Sequence, residues 1–258
     1  MEWTRVDTRR NASVRVLRGG VGEPVVFIHG GGGLAPESML DDLARSYSVS
    51  APELPGFGES SGEDTLWEML DFTLHSWDVL DCLGIERCRL IGQSLGGMIA
   101  AEMAALCPER VSKLALLAPA GLWLDEHPIP DFFAILPHEL GQYVFHDPAA
   151  AAAAAPPPDD SDEARIAAQV DRSRSMGNIS KILFPIPERG LATRLYRVRA
   201  ETLLIWGKSD KLIPPAYAAR WMELLPVARL VTVPEAGHAA QHEQPERYRA
   251  ALEEFLAD

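Results

Sequence analysis

A serine flanked by glycines lies between an apolar strand and a helix of small residues, and few folds accommodate that arrangement. Residues 92–97 read Gly-Gln-Ser-Leu-Gly-Gly, with an apolar run before them and a helical pattern after them. A turn this sharp holds Ser94 in strained backbone with positive φ, where bulky residues two positions away would collide. Gly92 and Gly96 meet that requirement. The pattern predicts a strand–turn–helix unit that presents the Ser94 hydroxyl above the edge of a sheet.

Strand-like and helix-like segments alternate along most of the chain. The predicted strands are residues 3–8, 13–17, 24–28, 47–51, 88–91, 111–117, 202–206 and 229–233. The predicted helices are residues 38–46, 65–83, 95–107, 215–225 and 244–256. Strands that alternate with helices indicate a mostly parallel sheet with helices on both faces. The predicted fold class is therefore α/β.

The alternation stops between residues 121 and 198. This stretch contains several prolines, seven consecutive alanines at 149–155 and the sequence Pro-Pro-Pro-Asp-Asp at 156–160. We interpret it as an insertion of short helices in which the alanine and proline run is a mobile connector. The expected organisation is a core domain of residues 1–120 and 199–258 with a helical insertion at 121–198.

Charge and cysteine content restrict the partners and the compartment. Acidic residues outnumber basic residues by 37 to 24, which gives a formal net charge of −13. Such a surface repels phosphate backbones and anionic headgroups, so we expect neither a nucleic-acid nor a membrane partner. The three cysteines form no CxxC pair, the first residues contain no apolar leader, and no apolar run approaches the ~20 residues that cross a bilayer. These features predict a cytoplasmic protein with a small-molecule substrate, and they leave open whether it forms a homodimer.

A serine hydroxyl is a weak nucleophile and needs a base. His238 follows a late predicted strand, and open α/β sheets place their sites at the carboxyl ends of strands. His75 is expected on the solvent face of a helix. His242 forms an H-x-x-x-H spacing with His238, but no third ligand stands nearby, so we expect no metal site.

The base in turn needs a carboxylate to orient it. Asp210 follows the strand predicted at 202–206 and precedes His238 by 28 residues, so acid and base come from successive strand ends. This gives the chain order Ser94, Asp210, His238. Asp125 is a second candidate for the acid, deeper in the insertion.

A glycine-rich loop follows the strand predicted at 24–28. Residues 29–33 read His-Gly-Gly-Gly-Gly, and consecutive glycines allow backbone amides to approach one point closely. Attack on a carbonyl creates an oxyanion that needs two such donors. We assign one donor to the Leu95 amide and the other to Gly31 or Gly32, and His29 to packing of the loop. No Gly-Lys-Ser/Thr follows, which excludes a phosphate-binding loop.

These motifs, with Leu-Pro-Gly-Phe-Gly-Glu-Ser at 54–60, resemble the α/β-hydrolase fold superfamily over about residues 14–256. The resemblance implies eight strands with the second antiparallel, and a helical lid inserted after the sixth. Within the superfamily the chain is similar to small esterases, enol-lactonases and carbon–carbon bond hydrolases of vinylogous diketones. The glycine-rich loop favours the last group, whereas Ala239 stands where those enzymes often carry an aromatic residue. Serine at position 94 separates the chain from the dehalogenase and epoxide-hydrolase branches, which use aspartate.

The expected function is that of a serine hydrolase acting on a carboxylic ester or a related small apolar acyl substrate, without a metal or an organic cofactor. The alternatives are a carbon–carbon bond hydrolase of vinylogous diketones, a lyase or cofactor-free oxidative enzyme, and a ligand receptor on the same fold. Aromatic and aliphatic side chains of the insertion are expected to form an apolar pocket. They are Trp123, Phe132, Phe133, Leu136 and Phe184.

Three arginines near the end of the insertion are candidates for holding a substrate carboxylate. They are Arg189, Arg194 and Arg197. More commonly, such arginines are simply exposed on the surface of a helix.

Overall fold

Eight strands are present in the computed structural model, which describes residues 1–9, 12–34, 38–154, 161–184 and 188–257, without the side chains of 153 and 154. The strands are β1 (Glu2–Asp7), β2 (Ser13–Gly19), β3 (Pro24–Ile28), β4 (Ser48–Pro52), β5 (Cys88–Gln93), β6 (Val111–Leu117), β7 (Glu201–Gly207) and β8 (Ala228–Val233).

All eight strands belong to one sheet with the order β1-β2-β4-β3-β5-β6-β7-β8. β2 pairs antiparallel with both β1 and β4. The remaining neighbours are parallel. The predicted α/β fold with a mostly parallel sheet, and with the second strand antiparallel, is confirmed.

Helices cover both faces of the sheet. They are α1 (Ser38–Leu43), α2 (Met69–Cys82), α3 (Leu95–Leu106), α4 (Leu140–Val144), α5 (Pro148–Ala154), α6 (Asp162–Leu183), α7 (Ala216–Leu224), α8 (Ala240–Glu243) and α9 (Pro245–Ala257). Within the described residues no helix is both long enough and apolar enough to cross a membrane.

The apolar core has two halves because strand side chains alternate between the faces of a sheet. In β3, Val26 and Ile28 pack into the half that contains α2, α3 and α7. Val25 and Phe27 pack into the other half, against α1 and α9. Continuous apolar strands are thus buried on both sides, as expected of parallel strands between two helix layers.

The face that α2 buries differs from the predicted one. His75 is only 1% exposed, so the prediction that it faces solvent is wrong, whereas Leu70 and Leu74 are 48% and 40% exposed. α2 contacts both α3 and β1, so its buried surface is wider than one apolar stripe. Polar residues join that surface at low cost when they are satisfied locally, as when the Ser76 hydroxyl donates to the Phe72 carbonyl.

An inserted segment, residues 118–200, connects β6 to β7 and contains α4, α5 and α6. The helical insertion after the sixth strand is therefore present. The expectation of short helices is wrong for α6, which has 22 residues. Ser161 caps it through a hydrogen bond from the Ala164 amide to its hydroxyl oxygen (3.3 Å), with two acidic residues in the first turn.

Part of the predicted mobile connector at 149–160 forms helix α5. Proline at its first position and a run of alanines suit a helix start. Residues 155–160 lie outside the described residues.

The second half of α6 is fixed to the core. Asn178, Ile179 and Ile182 are its buried residues. The Arg174 guanidinium donates to Glu63 Oε1 at 2.6 Å, and this bond lowers the pKa of the Glu63 carboxyl. Residues 165–171, in the first half of the helix, are exposed.

The end of the inserted segment is attached to α3, the helix that begins after Ser94. Arg194 donates to both carboxylate oxygens of Glu102, at 2.8 and 2.5 Å. Glu102 is 4% exposed, and the fork geometry of arginine matches its carboxylate. This pair joins the inserted segment to the element that begins at Ser94.

Candidate active site

Ser94 occupies the strained turn between β5 and α3, with φ of 51° and ψ of −115°. Its amide donates to the Leu117 carbonyl at 2.9 Å, and its carbonyl accepts from the Ala120 amide at 3.0 Å. These bonds to the end of β6 and the residues after it fix a backbone conformation that costs of order 1–3 kcal/mol in a non-glycine residue.

The two glycines of the serine motif are required by close backbone contacts. A Cβ on Gly92 would overlap the carbonyl oxygen of Gly96, and a Cβ on Gly96 would overlap the carbonyl oxygens of Ile28 and His29. The turn therefore packs directly on the end of β3, which brings the glycine-rich loop beside Ser94.

His238 and Asp210 form a buried hydrogen-bonded pair, with 2.8 Å between His238 Nδ1 and Asp210 Oδ2. Asp210 Oδ1 accepts from the amides of Leu212 and Ile213 at 2.9 and 2.8 Å. An ionised carboxylate only accepts, so Nδ1 carries the proton and Nε2 is left with its lone pair. Nε2 is buried and has no hydrogen-bond partner among the described residues.

Ser94 and His238 line the same cavity, whose volume is about 690 Å³. No hydrogen bond joins their side chains in the part of the chain that the structure describes. Such bonds are often long in the absence of substrate. Asp125, the second candidate for the acid, accepts from the Trp123 indole at 2.9 Å in an exposed position, away from this pair.

The His29 ring is hydrogen-bonded to the glycine-rich loop. Its Nε2 accepts from the Leu54 amide at 2.9 Å, so Nδ1 carries the proton and donates to the Gly30 carbonyl at 2.7 Å. Burial lowers the pKa of His29 to about 4, and the bond to Gly30 opposes that shift only in part. The ring is therefore neutral at pH 7 and holds the peptide that joins Gly30 to Gly31.

Both oxyanion-hole candidates of this loop, Gly31 and Gly32, line the cavity, and so does Leu95. A Cβ on Gly31 would lie 3.2 Å from Ile179 of α6, whereas one on Gly32 would meet no atom of the described residues within 4 Å. In a trans peptide the C=O and N–H point in opposite directions, so the bond from His29 to the Gly30 carbonyl directs the Gly31 amide away from His29.

The cavity wall is mostly apolar and contains two of the five predicted pocket residues, Trp123 and Phe132. Phe133, Leu136 and Phe184 are absent from the wall, and the prediction for these three is corrected. Phe133 and Phe184 pack on each other with 4.8 Å between ring centroids, and Leu136 is 52% exposed. Apolar side chains of the inserted segment thus cover one another as well as the cavity.

Two arginines, Arg172 and Arg189, line the cavity, and a guanidinium nitrogen of Arg189 lies 3.9 Å from Glu68 Oε2. Of the three arginines considered from sequence, Arg194 is bound to Glu102, and Arg197 donates to the Ala105 carbonyl at 2.8 Å. Arg172 was missed in the sequence analysis. It lies on the face of α6 that carries Ala168, Ser175 and Ile179, all cavity residues at helical spacing, and that spacing was the available signal.

His242 also lines the cavity, on α8 after His238. Among the residues that the structure describes, no three histidine, cysteine, aspartate or glutamate side chains are grouped as a metal site requires. His238, the first histidine of the H-x-x-x-H spacing, is hydrogen-bonded to Asp210.

The Alpha/beta hydrolase family profile matches residues 25–251. The chain belongs to this family. Its sequence is 30% identical, over 93% of this chain and 88% of the relative, to the 2-hydroxymuconate semialdehyde hydrolase of Pseudomonas sp. strain CF600. It is 26% identical, over 96% of this chain and 92% of the relative, to the 2-hydroxy-6-oxo-6-phenylhexa-2,4-dienoate hydrolase of Burkholderia cepacia.

A solved α/β-hydrolase-like structure resembles the whole chain. The crystal structure of a membrane phospholipase A, a bacterial virulence factor, superposes with a TM-score of 0.82 at 24% identity, covering 99% of this chain and 86% of that one. At this level of identity the likeness establishes the shared fold.

Proposed function

We propose that this hydrolase cleaves a carbon–carbon bond in a vinylogous diketone that carries a carboxylate, with Ser94 as nucleophile, His238 as base and Asp210 as orienting acid. One observation carries the proposal: a strained serine shares its cavity with a histidine whose Nδ1 is bound to a buried carboxylate and whose Nε2 has no hydrogen-bond partner among the described residues. That arrangement suits acyl chemistry.

In the proposed first step the Ser94 oxygen attacks the ketone carbon while His238 Nε2 accepts the hydroxyl proton. Asp210 holds the imidazole in the tautomer that leaves Nε2 free and stabilises the cation that forms. The amides of Leu95 and Gly31 are assigned to the oxyanion, each contributing about 3–4 kcal/mol to lowering the barrier. Gly31 is preferred to Gly32 because its peptide is held through the bond between His29 and the Gly30 carbonyl.

In the second step the carbon–carbon bond breaks and its electron pair enters the conjugated enone of the departing fragment. His238 returns its proton to that fragment, and the acyl group remains on Ser94. Water activated by His238 then releases the acid. One water is consumed, and the products are a carboxylic acid and a shortened unsaturated keto acid. A simple ketone lacks the conjugation that stabilises a departing carbanion, which is why a vinylogous diketone is required.

The cavity wall supports an anionic, largely apolar substrate. Arg172 and Arg189 line it, and arginine side chains recognise carboxylates by paired hydrogen bonds. The names of the two relatives describe semialdehyde and oxo-dienoate substrates, in which a carboxylate and an oxo group are joined by an unsaturated chain. In this proposal residues 121–198 form a lid domain over a core of residues 1–120 and 199–258, and no cofactor takes part.

Ester hydrolysis, the expectation from sequence, is the second candidate. The same serine, histidine and amides catalyse it without any electron-accepting conjugation. The small side chain of Ala239, in the cavity wall directly after His238, leaves room for an alkyl acyl group there. A lyase, a cofactor-free oxidative enzyme and a receptor are the remaining alternatives.

A substrate panel with a serine-directed label separates these functions. We expect 2-hydroxy-6-oxo-6-phenylhexa-2,4-dienoate, which becomes the vinylogous diketone when the proton of its 2-hydroxyl group is lost and C5 gains a proton, to be cleaved to benzoate with a kcat/KM at least tenfold above that for p-nitrophenyl butyrate. Fluorophosphonate should label Ser94, and Ser94→Ala should abolish both label and turnover. Ser46→Ala, on an exposed turn before β4, is the matched control.

Each contrary result in this panel has a distinct meaning. Turnover of the ester alone would replace the proposal with an esterase. Labelling of Ser94 without turnover of any substrate would favour a receptor. Labelling that survives Ser94→Ala would overturn the site itself.

A further inference from the structure

One carboxylate outside the catalytic pair binds both the His238 loop and the inserted segment. Glu243 Oε2 accepts from the Gly237 amide at 2.7 Å. Glu243 Oε1 accepts from the amides of His146 and Asp147 at 2.8 and 3.1 Å. Glu243 is the last residue of α8, and the two amides that bind Oε1 lie between α4 and α5.

The backbone on both sides of His238 is attached to this region. The Gly237 amide binds Glu243, and the Ala239 amide donates to the Val144 carbonyl at 3.2 Å. A Cβ on Gly237 would lie 2.5 Å from the Val144 carbonyl oxygen and 2.9 Å from the amide nitrogen of His146. The inserted segment therefore packs on the His238 loop with no side chain between them.

A third contact reaches the loop of the orienting acid. The His146 ring nitrogen Nδ1 lies 2.7 Å from the Ser209 hydroxyl, and Ser209 directly precedes Asp210. Residues 144–147 thus contact the loops of both His238 and Asp210, and the Glu243 carboxylate provides three of the hydrogen bonds that hold them together.

We infer that Glu243 is a positioning residue: its carboxylate couples the packing of residues 144–147 on the His238 loop to the position of the His238 imidazole. The inference rests on the proposed function, because it assigns His238 as the base. The physical reason is that hydrogen bonds to an ionised acceptor are shorter and stronger than neutral ones, so one carboxylate fixes three amides at once. Proton transfer from Ser94 depends on the ring position, and a displacement near 1 Å costs up to about 100-fold in rate.

A role confined to folding makes a different prediction from a positioning role. If Glu243 only stabilises the fold, its loss lowers the melting temperature and leaves kcat unchanged well below that temperature. If it positions His238, kcat falls at temperatures where the protein is fully folded, while KM changes little because substrate still binds in the same cavity.

The test compares Glu243→Ala and Glu243→Gln with the matched control Glu246→Ala. Glu246 lies three residues later, its side chain is 81% exposed, and it pairs with Arg249. The readouts are kcat and KM on the better substrate of the dienoate and p-nitrophenyl butyrate pair, the rate of fluorophosphonate labelling, and amide hydrogen exchange. We expect Glu243→Ala to lower kcat and the labelling rate by about 10- to 100-fold with KM within threefold.

Glu243→Gln is expected to give an intermediate loss, because its amide oxygen still accepts while its NH₂ group cannot. It also keeps the test decisive if Glu243→Ala fails to fold. Hydrogen exchange should accelerate at residues 144–147 and at 237–239 together, and at neither in Glu246→Ala.

Rates within twofold of wild type in Glu243→Gln and in any folded Glu243→Ala would overturn the inference, as would faster exchange at only one of the two segments. Failure of the proposed function is distinguishable, because it appears in the wild-type protein as turnover of the ester alone, as labelling of Ser94 without turnover, or as no labelling of Ser94. The coupled exchange of the two segments is measured without substrate.

Discussion

The two oxygens of the Asp210 carboxylate have different partners: Oδ2 lies 2.8 Å from Nδ1 of His238, and Oδ1 accepts hydrogen bonds from two backbone amides. The amides hold the carboxylate in place whether or not the imidazole is charged. The orientation of His238 is therefore set by backbone at the end of β7 as well as by its own loop after β8.

Replacing the orienting acid tests this relationship. Asp210→Asn keeps the size of the side chain but presents an amide that favours the wrong imidazole tautomer, so kcat should fall by about 10⁴-fold. Steady-state rates, with circular dichroism to check folding, provide the measurement. Asp125→Asn is the control, and a loss of that size in the control instead would move the acid to Asp125.

Arg189 should discriminate between substrates. Arg189 lines the cavity, and a charge-assisted hydrogen bond to a substrate carboxylate contributes about 1.5–3 kcal/mol, so Arg189→Met should raise KM for the anionic dienoate about 10- to 100-fold. The value for p-nitrophenyl butyrate should change less than threefold. Arg220→Met, at an exposed position of α7, is the matched control. An equal effect on both substrates would show that Arg189 supports the fold rather than the carboxylate.

Two glycine-to-alanine changes, one in the serine turn and one in α6, should change the free energy of unfolding in opposite directions. Gly96→Ala puts a Cβ into the carbonyl oxygens of Ile28 and His29, where neither can retreat, so unfolding free energy should fall by about 3 kcal/mol. Gly177→Ala, inside α6 with no atom of the described residues within 4 Å of the new Cβ, should raise it by about 0.5–1 kcal/mol. Urea denaturation measures both, and a Gly96→Ala protein as stable as wild type would contradict the described turn.

Buried His29 should make stability depend on pH. Its pKa is about 4 in the folded chain and 6.5 without burial, so between these values the unfolded chain binds a proton that the native chain excludes. The stabilisation is complete above pH 6.5, is lost as pH falls towards 4, and reaches a maximum loss of about 3 kcal/mol. Urea titrations from pH 7.5 to 4.5 should show a steeper decline in wild type than in His29→Gln, which cannot titrate. Parallel curves would mean that His29 is hydrated.

The sheet and the serine turn were predictable from sequence because short-range requirements determine them. A strand buried on both faces needs a continuous apolar run, as in β3, and a turn at positive φ with backbone contacts needs glycine at 92 and 96. Asp210 was ranked above Asp125 because chain order placed it at the strand end before His238, and the structure brings Asp210 to that histidine.

Features that depend on which surfaces meet were not predictable. His75 is buried in a helix that contacts several elements, α3, α6 and β1, and the apolar pattern of one helix does not report how many neighbours it has. Phe184 and Leu136 are as apolar as Phe132, yet only Phe132 lines the cavity. The three amides bound by Glu243 belong to Gly237 and to His146 and Asp147, which lie about 90 residues apart in the chain.

The second half of α6 is fixed to the core and the first half is exposed, so substitutions in the two halves should have different effects on stability. Substitutions near Asn178 and Arg174 disturb buried contacts with the core, whereas the exposed turns at 165–171 tolerate most replacements at a cost within about 0.5 kcal/mol. Ala168 and Asp171 belong to those turns and also line the cavity. Descendants of this protein can therefore acquire new substrate preferences by mutating one solvent-facing stretch, while inheriting the reactive centre unaltered.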